Sequence, residues 1–292
     1  MYVVTGVTGR TGAVAARTLI EAGERVRVVV RDAAKGEAWA RQGAEVAVAD
    51  LADVPALSDA LSGATGAYLL VPPSYTEPAP IARGQAMAAA IAEAVAAARL
   101  PKLVALSSVG ADRPDGTGLI LVNRAVEQRL AATGAPATFL RAAYFMENWA
   151  GVAGVAAAQG VLPSFLAPLD RAIPMVATAD IGRAAARALR EDWTGTRTIG
   201  LEGPAAVSPN DVAAAFAQAL GRPVQSVAVP EAGWAGALSQ AGFSPGAVDG
   251  FVELNRAINS GHVDFATDPA AGHRRGTTPI DAVIAGLIKT AV

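Results

Sequence analysis

The stretch that decides the fold is "YVVTGVTGRTGA", residues 2–13. Four β-branched or aromatic residues lead into three glycines spaced three apart, Gly6, Gly9 and Gly12. Almost everything between them is small, and the exception is Arg10. The pattern predicts a strand over 2–5, a tight glycine turn, and a helix over 11–22 ending near Gly23. A second β-branched run, "RVRVVV" (25–30), follows. Strand, glycine loop, helix and strand form the context in which such a triplet cradles a dinucleotide pyrophosphate. Gly6 then permits the sharp turn, Gly9 lets the backbone approach the phosphates, and Gly12 lets the helix pack closely on the strand. The helix N-terminus adds free N–H groups and the positive end of its dipole, and Thr8 and Thr11 line the same loop. The alternative is a purely structural turn.

The rhythm continues. Strands are expected at 44–50, 66–71, 102–108 and 137–142, with helices over about 33–42, 54–63, 82–99 and 118–133. Apolar strands separated by helices mean a parallel sheet covered on both faces, an α/β doubly wound fold of Rossmann type. Its ligands sit at the carboxyl ends of the strands. After about residue 150 strands become scarce and helices carry clear start signals. "SPNDVAAAFAQALGRP" (208–223) has Ser208 as cap, Pro209 in the first turn and Asp211 three on, and "TPIDAVIAGLIK" (278–289) repeats the device with Thr278, Pro279 and Asp281. The expected division is a nucleotide-binding domain over 1–150 and a smaller, mainly helical substrate domain over 151–292. Segment 178–190, "TADIGRAAARALR", is expected to return to the first domain.

Composition narrows the function classes. Of 292 residues 52% are hydrophobic but only 5% aromatic, so the core must be built mainly from Ala, Val and Leu. A net charge of -2 carries no electrostatic footprint for nucleic acid, and no basic run suggests a membrane surface. The absence of cysteine excludes disulfides, thiol catalysis and thiolate metal sites. Two histidines, His262 and His273, are a poor basis for a metal centre, and none is expected. The chain enters a strand at once, which points to a cytoplasmic protein. The expected partner is a small molecule, with the chain a monomer or homodimer.

At the end of the second strand an NAD-selective site usually places Asp or Glu against the ribose 2′-hydroxyl. Here "VVVRDAA" offers Arg31 first and Asp32 after it. Arg31 and Arg10 can together meet a 2′-phosphate by charge-assisted hydrogen bonds, so NADP(H) is expected in preference to NAD(H). Asp32 keeps NAD in play if it points inward.

"VTGVTGRTG", "SSVGAD" and "FLRAAYFMENW" together resemble the NmrA-like group of atypical short-chain dehydrogenase/reductases, and the resemblance covers nearly the whole chain. "ATADIGRAAARAL" is similar to the family's returning helix, and "GHVDFATDPAAGHRRGTTPIDAVIAGLIK" to its C-terminal segment. The stretch from Arg141 to Asn148 is the more family-specific part. The resemblance implies that Asp50 and Leu51 flank the adenine, that Leu70, Val71 and Pro72 line the ribose side, and that Ser107, Ser108 and Tyr144 lie near the nicotinamide. Members of the group include quinone and azo-type reductases, reductases of plant phenolics and alkaloid intermediates, and non-catalytic redox sensors.

Short-chain dehydrogenases that reduce simple carbonyls commonly use a Tyr with a Lys four residues later. Aligned on "VEQRL", those positions are Leu119 and Asn123, so the usual acid is missing. Asn123 can hydrogen-bond but cannot act as an acid at neutral pH, and Tyr144 is the other candidate for a catalytic role. A conjugated quinone, iminium or azo acceptor delocalises or neutralises the charge that hydride transfer builds, and so depends less on a positioned acid. Tyr75, in the proline-rich loop after the fourth strand, suits a cover over the site. Phe145, Met146 and Trp149 suit an apolar wall, or equally a core at helical spacing. His262, a lone histidine in a glycine-bearing loop, is more often incidental. The expectation is an NADP(H)-dependent oxidoreductase; the alternatives are a non-catalytic NADP(H) sensor and, more weakly, an epimerase-like enzyme.

Overall fold

The computed structural model describes residues 1–265 and 272–291. Its first six strands are β1 (Tyr2–Val4), β2 (Val26–Val30), β3 (Glu45–Val48), β4 (Gly66–Leu69), β5 (Leu103–Ser108) and β6 (Ala137–Ala142). The helices between and after them are α1 (Arg10–Glu21), α2 (Glu37–Ala40), α3 (Val54–Leu61), α4 (Pro80–Ala97) and α5 (Leu121–Ala131). The C-terminal part adds β7 (Tyr144–Phe145), α6 (Ala153–Gln159), β8 (Val161–Ser164), β9 (Ile173–Val176), α7 (Thr178–Arg190), β10 (Thr196–Glu202) and β11 (Ala206–Val207). It continues with α8 (Pro209–Leu220), β12 (Gln225–Ala228), α9 (Glu231–Gln240), α10 (Pro245–Ser260), β13 (Gly272–Arg275) and α11 (Ile280–Ala291).

Eight strands form one sheet in the order β13-β10-β6-β5-β4-β1-β2-β3, and every pairing in it is parallel. Successive side chains on a strand point to opposite faces, and the strands here are apolar on both. Val3, Val29, Ala67, Leu69, Leu103 and Ala105 enter one core with α3, α4 and α5. Their neighbours Val4, Val28, Val30, Tyr68 and Val104 enter a second core with α1 and α7. A third cluster, around Met146, Trp149, Met175 and Phe216, lies in the C-terminal part.

The main departure from expectation is the length of the sheet. β10 and β13 extend it beyond β6, although both lie in the part read as poor in strands. β13 is "GHRR" and has no apolar pattern; its pairing with β10 is accompanied by Arg275–Glu202 and Arg274–Glu191 ion pairs. α7 packs on α1 at Gly182, where a Cβ would lie 2.6 Å from the Thr11 carbonyl oxygen and from Val14 Cβ.

Start signals held for α8, where Ser208 and Asp211 form a capping box. Thr278 is used differently: its N–H donates to Asp180 (3.0 Å) and its hydroxyl accepts from Arg183 (2.9 Å). Burial pushes the Asp180 carboxyl up, but the Thr278 N–H, Arg183 and the Thr277 N–H outweigh it and hold it below the usual aspartate value. Residues 266–271 of the expected C-terminal family segment lie outside the described residues.

Candidate active site

The glycine loop does what its spacing demands. Gly6 has φ +66°, a conformation costly for other residues, and a Cβ there would come within 2.8 Å of Leu70 Cδ2. A Cβ at Gly12 would lie 2.5 Å from the carbonyl oxygens of both Thr5 and Gly6, so helix and strand meet at backbone distance. Gly9 is the N-cap of α1; the closest atom to a Cβ there is the Gly6 oxygen at 3.3 Å, and the loop is otherwise open. The first-turn N–H groups of a helix have no acceptor within it, and Gly9 offers no capping side chain. By contrast α3, α8 and α10 are capped by Asp53, Ser208 and Ser244. An open, uncapped and acid-free helix start of this kind fits a pyrophosphate.

Around the loop, Thr8 is exposed, whereas Thr11 is buried with its hydroxyl accepting from Tyr68 Oη (3.1 Å). Arg10 and Arg31 are exposed, and neither makes an ion pair with a described residue. Asp32 is turned onto its own chain, accepting from the Ala34 N–H (3.0 Å) as cap of the short 3-10 turn Ala33–Gly36. Lys35, in that turn, is a further exposed cation that the sequence reading passed over; its spacing from Arg31 was the available signal. Asp50 likewise accepts from the Ala52 N–H (2.8 Å), and Leu51 beside it is buried.

Leu70 presses against Gly6, joining the end of β4 to the glycine loop, while Val71 is half-buried and Pro72 exposed. The following loop is fastened to the start of α10. Ser244 donates its N–H to the Tyr75 carbonyl (2.9 Å) and its hydroxyl to the Glu77 carbonyl (2.5 Å). The Tyr75 ring stacks on Phe243 (5.0 Å) and meets Phe251 edge-on (5.2 Å). Burial pushes its phenol up.

The ends of β5 and β6 hold the largest surprise. Ser107, which the family resemblance puts near the nicotinamide, is 2% exposed and donates to Glu127 Oε1 at 2.6 Å. Arg141, its register partner on β6, grips the same carboxylate through Nε (2.9 Å) and Nη2 (2.7 Å), with Asp112 3.8 Å from Nη1. Ser108 donates to the Val109 carbonyl (3.0 Å). Both hydroxyl protons are thus used within the protein. Glu127 was invisible to the sequence reading because "VEQRL" looks like an ordinary helix face.

Asn123 is half-buried on α5. Leu119 lies in the 3-10 turn Gly118–Ile120 and packs on α10, so near that a Cβ on Gly250 would sit 2.9 Å from Leu119 Cδ2. Tyr144 is half-buried and hydrogen-bonded to Asn148, and burial pushes its phenol up to about 12. Phe145 is half-buried, but Met146 is fully enclosed and Trp149 is 4% exposed, both within the C-terminal core. Met146 is therefore a core residue rather than a wall. Glu147 caps α7, accepting from the Thr178 N–H (2.9 Å) and hydroxyl (2.5 Å). The stretch from Arg141 to Asn148 is thus largely scaffolding. His262 Nε2 lies 3.2 Å from the Asp115 carbonyl oxygen and ties two loops together. Among the described residues no His/Cys/Asp/Glu group could hold a metal ion, and no helix is long and apolar enough to cross a membrane.

The chain is 30% identical over 234 residues to an NAD(P)H azoreductase of Xenophilus azovorans, covering 78% of this chain and 77% of the relative. It is 28% identical over 263 residues to quinone oxidoreductase 2 of Escherichia coli strain K12, covering 89% of each. Among solved structures, an NADPH-dependent quinone oxidoreductase of E. coli complexed with NADPH superposes with a TM-score of 0.81 at 26% identity, over 98% of this chain and 99% of that one. A Citrobacter triphenylmethane reductase complexed with NADP(H) shares the fold, with a TM-score of 0.79 at 20% identity over 100% of this chain and 99% of that one. The model of the NmrA-like family matches residues 2–240. The chain belongs to the NmrA-like family.

Proposed function

We propose that the protein is an NADP(H)-dependent oxidoreductase that passes hydride to a conjugated small-molecule acceptor of quinone, iminium or azo type, without a Tyr/Lys catalytic pair. The observation that carries this is the cradle at the start of α1. Gly6, Gly9 and Gly12 keep it clear, no described side chain caps it, Arg10 and Arg31 are exposed and make no ion pair with a described residue, and Asp32 is turned aside. In this reading Arg10 and Arg31 hold the 2′-phosphate, with Asp50, Leu51, Leu70, Val71 and Pro72 along the nucleoside. Residues 1–150, with 178–190, bind the cofactor, and residues 151–292 supply the substrate side. Bound NADPH supplies the hydride; the chain binds, orients and shields. Relatives named for azo and quinone chemistry support the acceptor class.

The chain's own groups suit an acceptor that needs little acid help. Leu119 and Asn123 cannot protonate an alkoxide, and Ser107 and Ser108 have their protons engaged. The Tyr144 phenol, pushed up to about 12, stays protonated across the physiological range and serves as a hydrogen-bond donor. The same engagement of both serines supports a second reading, an NADP(H)-binding sensor without turnover. The test is NADPH oxidation, followed at its absorbance band, against quinones, azo dyes and iminium compounds. Turnover with at least one class is expected; tight NADPH binding with no turnover across the panel would establish the sensor instead.

A further inference from the structure

The cradle at α1 lies at the carboxyl ends of the strands. At the opposite end, where β1 begins with Tyr2 and α7 finishes at Arg190, the described residues form a cavity of about 580 Å3, open to solvent. Cavities that hold small ligands run from about 300 to 1,000 Å3. Tyr2, Thr18 and Glu24 line it from the first βαβ unit, and Arg183, Arg187, Arg190 and Glu191 from α7 and its end. The basic wall follows from the sequence of α7. Ala185, Ala188 and Leu189 are buried on the sheet, so positions 183, 187 and 190, four and three apart, share the exposed face. All three are arginines.

The carboxylates around this wall already have cations. Glu24 meets Arg190 (3.1 Å), Glu191 is held by Arg197 (2.7 Å) and Arg274 (2.9 Å), and Asp192 lies 3.7 Å from Lys102. Arg183 is paired with Asp180 (2.5 Å) and donates to the Thr278 hydroxyl (2.9 Å). Arg187 makes no ion pair or hydrogen bond with a described residue. The hydroxyls of half-buried Tyr2 and Thr18 have no hydrogen-bond partner among the described residues either. Burial, Glu24 and Asp192 push the Tyr2 phenol up against the pull of Arg190, so it remains a protonated donor. One guanidinium and two hydroxyls thus line a ligand-sized, accessible cavity with their donors unused.

We propose that this cavity is a second ligand site, separate from the cofactor cradle, and that it takes a small phosphate monoester with a hydroxylated body. Arg187 and the Tyr2 and Thr18 hydroxyls supply donors to the phosphate, and guanidinium–phosphate hydrogen bonds are charge-assisted. A carboxylate offers about four acceptor positions, so Glu24 and Glu191 keep some beyond those their arginines use and accept from hydroxyls of the body. The same two carboxylates repel a second phosphate, which sets this site apart from one built for a dinucleotide. The proposal does not depend on the reductase reading.

The test titrates ribose 5-phosphate by calorimetry into the full-length protein in excess NADP+, so that the cradle is filled. A one-to-one complex with Kd of about 1 mM or tighter is expected. Inorganic phosphate is expected to bind at least about tenfold more weakly, since it lacks the body that meets Glu24 and Glu191. Arg187→Gln should weaken the ester roughly ten- to hundredfold, while Arg129→Gln, the same charge change on α5 across the sheet, should leave it within about twofold. Absence of binding, equal loss in the two variants, or inorganic phosphate held as tightly as the ester would each overturn the proposal.

Discussion

Helices α1 and α7 lie against each other, each entered from an extended N-cap residue, Gly9 and Ala177. Their first turns present the same chemistry, a cluster of N–H groups at the positive end of a dipole. At α7 the chain fills that position itself with the Glu147 carboxylate on Thr178. At α1 no described side chain caps that position, and no acidic residue stands in the first turn. The contrast separates a helix start used for folding from one left for a ligand. A stretch such as Arg141 to Asn148 can mark a family because it builds the first kind, while the glycine triplet marks the second.

Three substitutions break or sharpen this contrast. The largest effect is expected from Gly12→Val, which drives side-chain atoms into the Thr5 and Gly6 carbonyls. Destabilisation of about 3 kcal/mol in chemical denaturation is expected, with loss of measurable NADPH binding. Arg31→Asp should leave stability nearly intact and lower NADPH affinity relative to NADH roughly ten- to hundredfold by fluorescence titration; an unchanged preference would remove the 2′-phosphate assignment. Glu147→Ala should cost about 1–2 kcal/mol of stability through the uncapped α7 and leave NADPH affinity within about twofold. A large loss of cofactor affinity in that variant would mean that the two helix starts are not independent.

Much of this was legible in the residues. Val3 and Val4, Leu103 and Val104 face opposite cores, so their runs had to be apolar throughout, and that pattern announces a buried parallel sheet. The glycines were legible because each answers to backbone geometry alone. β13 was not, since "GHRR" owes its place to β10, some seventy residues away in sequence. Nor was the engagement of Ser107, which depends on Glu127 from one element and Arg141 from another meeting at a single carboxylate. Local signals report what a segment is; they are silent on which distant group claims its hydrogen bonds.

The fastening of the loop after β4 has a mechanical consequence. Lifting residues 72–79 requires parting the three rings of Tyr75, Phe243 and Phe251 and breaking both hydrogen bonds from Ser244. The loop is therefore a lever whose fulcrum sits on α10, and α10 also presses on the turn carrying Leu119. The loop after β4 and the segment before α5 thus rest on the same helix.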